Sequence, residues 1–275
     1  MTFVQKFRIR YFVWILLVAT GCSSPKNIEL FNGRDLSGWD TYIASAADSI
    51  PPPGLNHDPT GVFTVTQVDG VPVIRVSGEQ YGGLSTQQEY HNYHLKLEFK
   101  WGVAKIPSFA NRKRDSGVLY HAVGPHGVDA RAWMRSQEFQ VQEGDCGDYW
   151  GVAGATFDIP AVKNEQDQWV YDEKGTRMTF RDSTLVGRRC IKGFDAEKPY
   201  GEWNTLEVIC FEDRSLHILN GKVVMRLYHS SQVVDGELKP LASGKIQLQS
   251  EGCEVFYRNI TLTPIESVPA AFQIP

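Results

Sequence analysis

Apolar and polar residues alternate one by one through long stretches of this chain, and a helical period of three to four is almost absent. A period of two places successive side chains on opposite faces of an extended strand. It predicts strands over Gly61–Val68, Val71–Ser77, His94–Trp101, Gly117–Val123, Gln137–Gln142, Leu206–Phe211, Ser215–Leu219, Val223–Tyr228, Lys245–Gln249 and Val255–Thr263. Asp69-Gly70 and Asn220-Gly221 separate two consecutive strand pairs, and such dipeptides accept the positive φ angles of tight hairpin turns. The segment from Asp158 to Gly201 lacks clear alternation and is expected to form long loops over one face. Many short strands with Gly, Asn and Asp between them predict an all-β fold, a two-sheet antiparallel sandwich. One such domain is expected over 28–265, followed by a C-terminal tail, 266–275.

The first residues break the pattern. Lys6, Arg8 and Arg10 precede an apolar run from Tyr11 to Ala19, and Thr20-Gly21-Cys22 follows. That is the order of an export signal, and the run is too short to span a bilayer. The expectation is a signal peptide over 1–21, a lipidated Cys22 and a tether over 22–27. Ala19 stands where such signals usually carry leucine. The product would be an exported lipoprotein that touches the membrane through its lipid alone. Ser23-Ser24 carries no acidic sorting patch, which favours the periplasmic side over the cell surface.

Without the signal, 25 Lys and Arg stand against 32 Asp and Glu. This acidic balance, with no Lys/Arg-rich run, argues against nucleic acid as a partner. Cys146, Cys190, Cys210 and Cys253 remain, and an oxidising space would permit disulfides in any of three pairings. No spacing suggests zinc, no cofactor is indicated, and an EF-hand-like calcium loop is missing.

Candidate chemistry follows from strand parity. In Gln137–Glu143, Phe139 and Val141 turn inward, while Glu138, Gln140 and Gln142 share the other face. Lys245, Gln247 and Gln249 form a second polar row opposite Ile246 and Leu248. Carboxamides both donate and accept, which suits sugar hydroxyls. By parity His121 shares a face with Gly117 and Leu119, and its side chain titrates in a range useful to an acid or base. Tyr149 and Trp150 offer rings for stacking, and Lys100, near a strand end, offers a cation. Glu138 and Glu143 are five apart, on opposite faces of a regular strand, so a two-carboxylate glycosidase is disfavoured.

Leu30-Phe31-Asn32-Gly33-Arg34-Asp35-Leu36-Ser37-Gly38-Trp39 resembles the opening of the bacterial 3-keto-disaccharide hydrolase family, also described as 3-keto-glucoside 1,2-lyase/3-keto-2-hydroxyglucal hydratase domains. Asp115–Val118, Gln137–Gln140, Gly201–Asn204, Leu219–Gly221, Gly244–Gln249 and Tyr257–Ile260 resemble later blocks in the same order. The resemblance implies a concanavalin A-like jelly-roll sandwich with its site on a concave face. Asp115 departs from the family's usual Asn, and Tyr120-His121 from a Leu-Arg-like pair.

It also implies an activity: cleavage of 3-keto-glycosides by removal of the C2 proton and elimination at C1. On this reading His121 or Glu138 is base or acid, and Lys100 or Arg258 stabilises the enolate. Gln140, Gln247, Gln249 and Ser116 hold hydroxyls, and Tyr149 or Trp150 stacks on the ring. Arg258 would reach the groove only through a strand bulge; otherwise it is a structural partner of a carboxylate. The partner would be a small 3-keto sugar, supplied by a pathway oxidoreductase. A lectin-like binding module and an ordinary glycoside hydrolase are the alternatives.

Overall fold

The computed structural model describes residues 26–45 and 50–273. The expected signal peptide and Cys22 lie outside the described residues. Strand parity governs the architecture. Along Tyr93–Lys105, Tyr93, Leu95, Leu97, Phe99 and Trp101 are buried, and the residues between them face outward. This strand is central to a first sheet. Edge to edge, that sheet runs Trp169–Tyr171, Ala155–Lys163, Lys222–Val234, Arg214–Leu219, Asn204–Phe211, Tyr93–Lys105, Cys253–Pro264, Val71–Val76 and Phe63–Val68. Leu206 lies opposite Leu97, and Tyr257 opposite Phe99.

The second sheet runs Arg189–Cys190, Tyr149–Val152, Arg135–Gln142, Asp115–Val123, Ser243–Ser250, Gly82–Thr86, Trp39–Ile43 and Gly54–Leu55. All these neighbours pair antiparallel, as the expected sandwich requires. Val118, Tyr120, Phe139, Val141, Ile246 and Leu248 turn from this sheet toward Leu97, Phe99, Val255 and Tyr257 of the first. Full burial of each large apolar side chain contributes about 1.5–3 kcal/mol. The core also holds a polar knot, in which Gln137 donates to the Thr156 carbonyl and accepts from the Tyr149 hydroxyl at 2.7 Å.

Both hairpin turns form as expected. Val68 faces Val71 across Asp69 (φ 52°) and Gly70 (φ 75°), and Leu219 faces Lys222 across Asn220 (φ 51°) and Gly221 (φ 76°). The loop expectation for Asp158–Gly201 is corrected, because that region supplies most of Ala155–Lys163 and all of Thr176–Phe180. Ala155, Phe157, Ile159 and Ala161 are all buried, but two of them are alanines, too small to mark an apolar row in the sequence. Cys146, Cys190, Cys210 and Cys253 are buried and free, so none of the three disulfide pairings forms.

Candidate active site

The second sheet has a face turned away from the core, and there the polar rows meet. Glu138 lies opposite Leu119 and Trp150, Gln140 opposite Gly117, and Leu119 opposite Gln247. These side chains are not solvated. Glu138 is 6 % exposed, Gln140 7 % and Gln249 1 %. Leu119, Ala132, Trp133, Val152 and Ala44 form an apolar cluster beside them, and the Trp133 indole donates to the Gly82 carbonyl at 3.2 Å. An open cavity of about 270 Å³, lined by Ala44, Ser45, Tyr81, Ala130 and Arg131, adjoins this face at Tyr81.

Burial without a partner is costly for a polar atom, so unpaired atoms mark places where something else belongs. Asp115 Oδ1, Gln140 Oε1, Gln249 Oε1 and Trp150 Nε1 are buried without a hydrogen-bond partner. Glu138 Oε1 and Gln249 Oε1 both lie 2.4 Å from the point where a Cβ on Gly117 would stand. Only a glycine there lets these two side-chain oxygens close over the strand. Three of the unpaired atoms are acceptors and the fourth is an indole N–H donor, a set that hydroxyl groups can satisfy. Among the described residues, no group of three or more His, Cys, Asp or Glu is arranged to hold a metal ion.

Charge is concentrated here as well. Burial, followed by the proximity of Glu251 and Asp115, pushes the Glu138 carboxyl well above its ordinary range. Burial also raises Asp115 and Glu251, and the two carboxyls stand opposite each other. Gln142 donates to Asp115 Oδ2, and Tyr81 hydrogen-bonds Glu251. The nearby cation, Arg188, pairs with Asp129 at 2.7 Å and lies 5.3 Å over the Trp150 ring. Two or more acids that resist ionisation, on one covered face, suit proton transfer at neutral pH.

The structure gathers Glu138, Gln140, Gln247, Gln249 and Trp150 on one face, and it separates the other expected residues from them. His121 has φ 50° at a bulge opposite Lys245 and Gln247, so parity breaks and its ring turns away from Leu119. It is fully buried against Tyr93 and Tyr120, its Nδ1 meets the Leu241 carbonyl at 3.0 Å, and burial lowers its pKa to about 4. Lys100 and Arg258 lie on the outer face of the first sheet. Arg258 pairs with Glu98 at 2.6 Å and stacks on Trp203, so it is the structural arginine that its parity implied. Lys100 faces Asp69.

Ser116 points into the core, donating to the Gln249 carbonyl and meeting the Tyr257 hydroxyl at 2.7 Å. Tyr149 is buried and bound to Gln137, which removes it as a stacking platform. Gln247 is on the right face but already engaged, accepting from the Met134 N–H and donating to Ser85 Oγ. Glu143, Asp145 and Asp148 are held in ion pairs with Arg114, Lys113, Arg189 and Lys192.

Asp115, Glu251, Tyr81, Arg188 and Asp129 were not among the residues expected to form the site. Glu251 continues the row Lys245, Gln247, Gln249 by one more step of two, and Asp115 continues Gly117 and Leu119 in the same way. Extending each row past its strand end would have found both. Arg188 and Asp129 come from loops, where no periodicity points to them.

A family model described as the 3-keto-alpha-glucoside-1,2-lyase-like domain matches residues 26–263. No curated protein matches the chain. Among solved structures, a candidate glycosyl hydrolase from Parabacteroides distasonis is similar at 20% identity and TM-score 0.49, covering 87% of this chain and 94% of that one. A carbohydrate binding module from Bacillus subtilis is similar at 10% identity and TM-score 0.44, covering 82% and 95%. A β-glucanase from Bacillus licheniformis is similar at 13% identity and TM-score 0.38, covering 89% and 100%.

Proposed function

Because the chain belongs to the family of 3-keto-alpha-glucoside-1,2-lyase-like domains, we propose that it cleaves 3-keto-glycosides by C2-proton abstraction and elimination at C1, with or without re-addition of water. The coarser assignment, a carbohydrate-active protein, follows from the family itself. A ketone at C3 acidifies the C2 proton. A base removes it, the enolate expels the C1 oxygen, and an acid protonates that oxygen as it leaves.

Glu138 is the base or acid, since it borders the unpaired acceptors and is held above the ordinary carboxylate range by burial. Gln140 and Gln249 accept hydroxyl hydrogens from the sugar, and Trp150 offers its ring and its unpaired N–H. With Lys100 and Arg258 on the other sheet, enolate stabilisation falls to hydrogen-bond donors on this face and to Arg188. The observation that carries the reading is the convergence of buried, unpartnered acceptors beside Glu138. A partner oxidoreductase would have to make the ketone.

The test is NMR of the mature protein with a 3-keto-glucoside in D2O, beside the unoxidised sugar. Aglycone release with deuterium at C2, from the keto sugar only, is expected. Cleavage of both sugars would identify an ordinary glycoside hydrolase. Saturable binding without product would identify a lectin-like module.

A further inference from the structure

Asp115 and Glu251 stand opposite each other as an isolated antiparallel bridge, where Asp115–Val123 begins and just past the end of Ser243–Ser250. Directly opposed residues of an antiparallel pair carry side chains on one face, and like charges there repel. Among the described residues neither carboxylate has an ion pair. Asp115 takes the Gln142 amide on Oδ2 and the Ser116 backbone N–H lowers its pKa slightly, while its buried Oδ1 has no partner. Glu251 has the Tyr81 hydroxyl. Glu138, itself held above its ordinary range, lies on the same face, Asp129 raises Glu251 further and Asp145 raises Asp115. Arg188 is bound to Asp129, while Arg189 is bound to Asp148 and Asp145. Gln249, 1 % exposed, presents a second unpartnered oxygen beside Glu138.

Two part-buried carboxyls at one point, with no cation paired to either, cannot both ionise cheaply. We propose that Asp115 and Glu251 share one proton at neutral pH and so keep a neutral carboxylic acid beside a carboxylate at the edge of the site. Acceptors without partners, beside carboxyls that no cation pairs with, then select an uncharged, hydroxyl-rich ligand over a carboxylate-bearing sugar.

What the pair does in turnover rests on the lyase reading. The C2–H bond breaks and its proton passes to a carboxylate of the cluster, while the electron pair enters the enolate with the C3 carbonyl. The C1–O bond then breaks, its electrons leave on the aglycone oxygen, and that oxygen takes a proton from the neutral acid. A C1=C2 double bond remains. One proton arrives and one departs, so a cluster that holds a constant number of protons can serve both ends of the elimination.

The test needs no substrate. Protein carrying carboxyl-labelled Asp and Glu is titrated by NMR from about pH 4 to about pH 10, and again as Glu251→Gln and Asp115→Asn. The expected result is two coupled steps seen by both residues, one of them above the ordinary carboxylate range. In Glu251→Gln, Asp115 should titrate once, with its upper step lowered by about one unit or more, a tenfold change. Asp115→Asn should lower Glu251 in the same sense, which keeps the test decisive if one variant fails to fold. Independent, ordinary titrations, or an Asp115 curve unmoved by Glu251→Gln, would overturn the pair. Coupled titration without deuterium at C2 of a keto sugar would leave the pair standing and remove the lyase reading instead.

Discussion

Gly117→Ala is the sharpest probe of the site, because it adds one methyl group between the two oxygens that frame it. The Gly117 φ lies outside the left-handed region, so alanine introduces no backbone strain. Its Cβ would stand 2.4 Å from Glu138 Oε1, 2.4 Å from Gln249 Oε1 and 2.8 Å from Gln249 Cδ, whereas ordinary contact begins at 3.4 Å. Each oxygen must retreat by about 1 Å, a misplacement that costs roughly 100-fold in rate when the group is catalytic. Overpacking costs about 1–3 kcal/mol, and removing a strand glycine returns about 0.5–1 kcal/mol. The net loss of up to about 2.5 kcal/mol should lower Tm by no more than about 10 °C in a chain of this size. The assay is turnover of a 3-keto-glucoside together with a thermal melt. A folded Gly117→Ala protein with unchanged kcat/KM would refute the reasoning, since the space over Gly117 would then lie outside the reaction.

Arg258→Ala and Lys100→Ala should leave turnover unchanged. Arg258→Ala should cost about 1 kcal/mol in a chemical denaturation, from its ion pair with Glu98 and its stacking on Trp203. His121 and His217 have folded pKa values lowered to about 4 by burial, so the unfolded chain binds more protons between about pH 6.5 and pH 4. Their contribution is complete above the unfolded pKa and is lost as pH falls through that window. The buried carboxyls act with the opposite sign, so the observable is a difference: His121→Gln should show a shallower fall in Tm across the window than the parent, and an equal slope would contradict the assignment. Cys22→Ser should abolish metabolic incorporation of labelled fatty acid and move the protein into the soluble fraction; retained label would exclude the anchor.

The two rows Glu138–Gln140 and Gln247–Gln249 are legible in the sequence, because a strand with one buried face must alternate, and these residues alternate with Phe139, Val141, Ile246 and Leu248. Trp150 falls on the same face by register. His121 departs from its expected face for a definite reason. A bulge adds one residue, and every parity argument beyond it inverts. Ser116 and Tyr149 leave the site because their polar ends are spent inside the core, a fact that depends on Tyr257 and Gln137 across space.

Local chemistry along the chain was sufficient for the strands, the Asp69-Gly70 and Asn220-Gly221 turns and the two carboxamide rows, since each depends on neighbours within a few residues. Which carboxyls are acids depended on the tertiary structure. Asp115 and Glu251 are 136 positions apart, each unremarkable in its own segment. Only the antiparallel pairing of their strands brings the two charges together, partly buried and with no cation paired to either, and that juxtaposition is what keeps a proton between them.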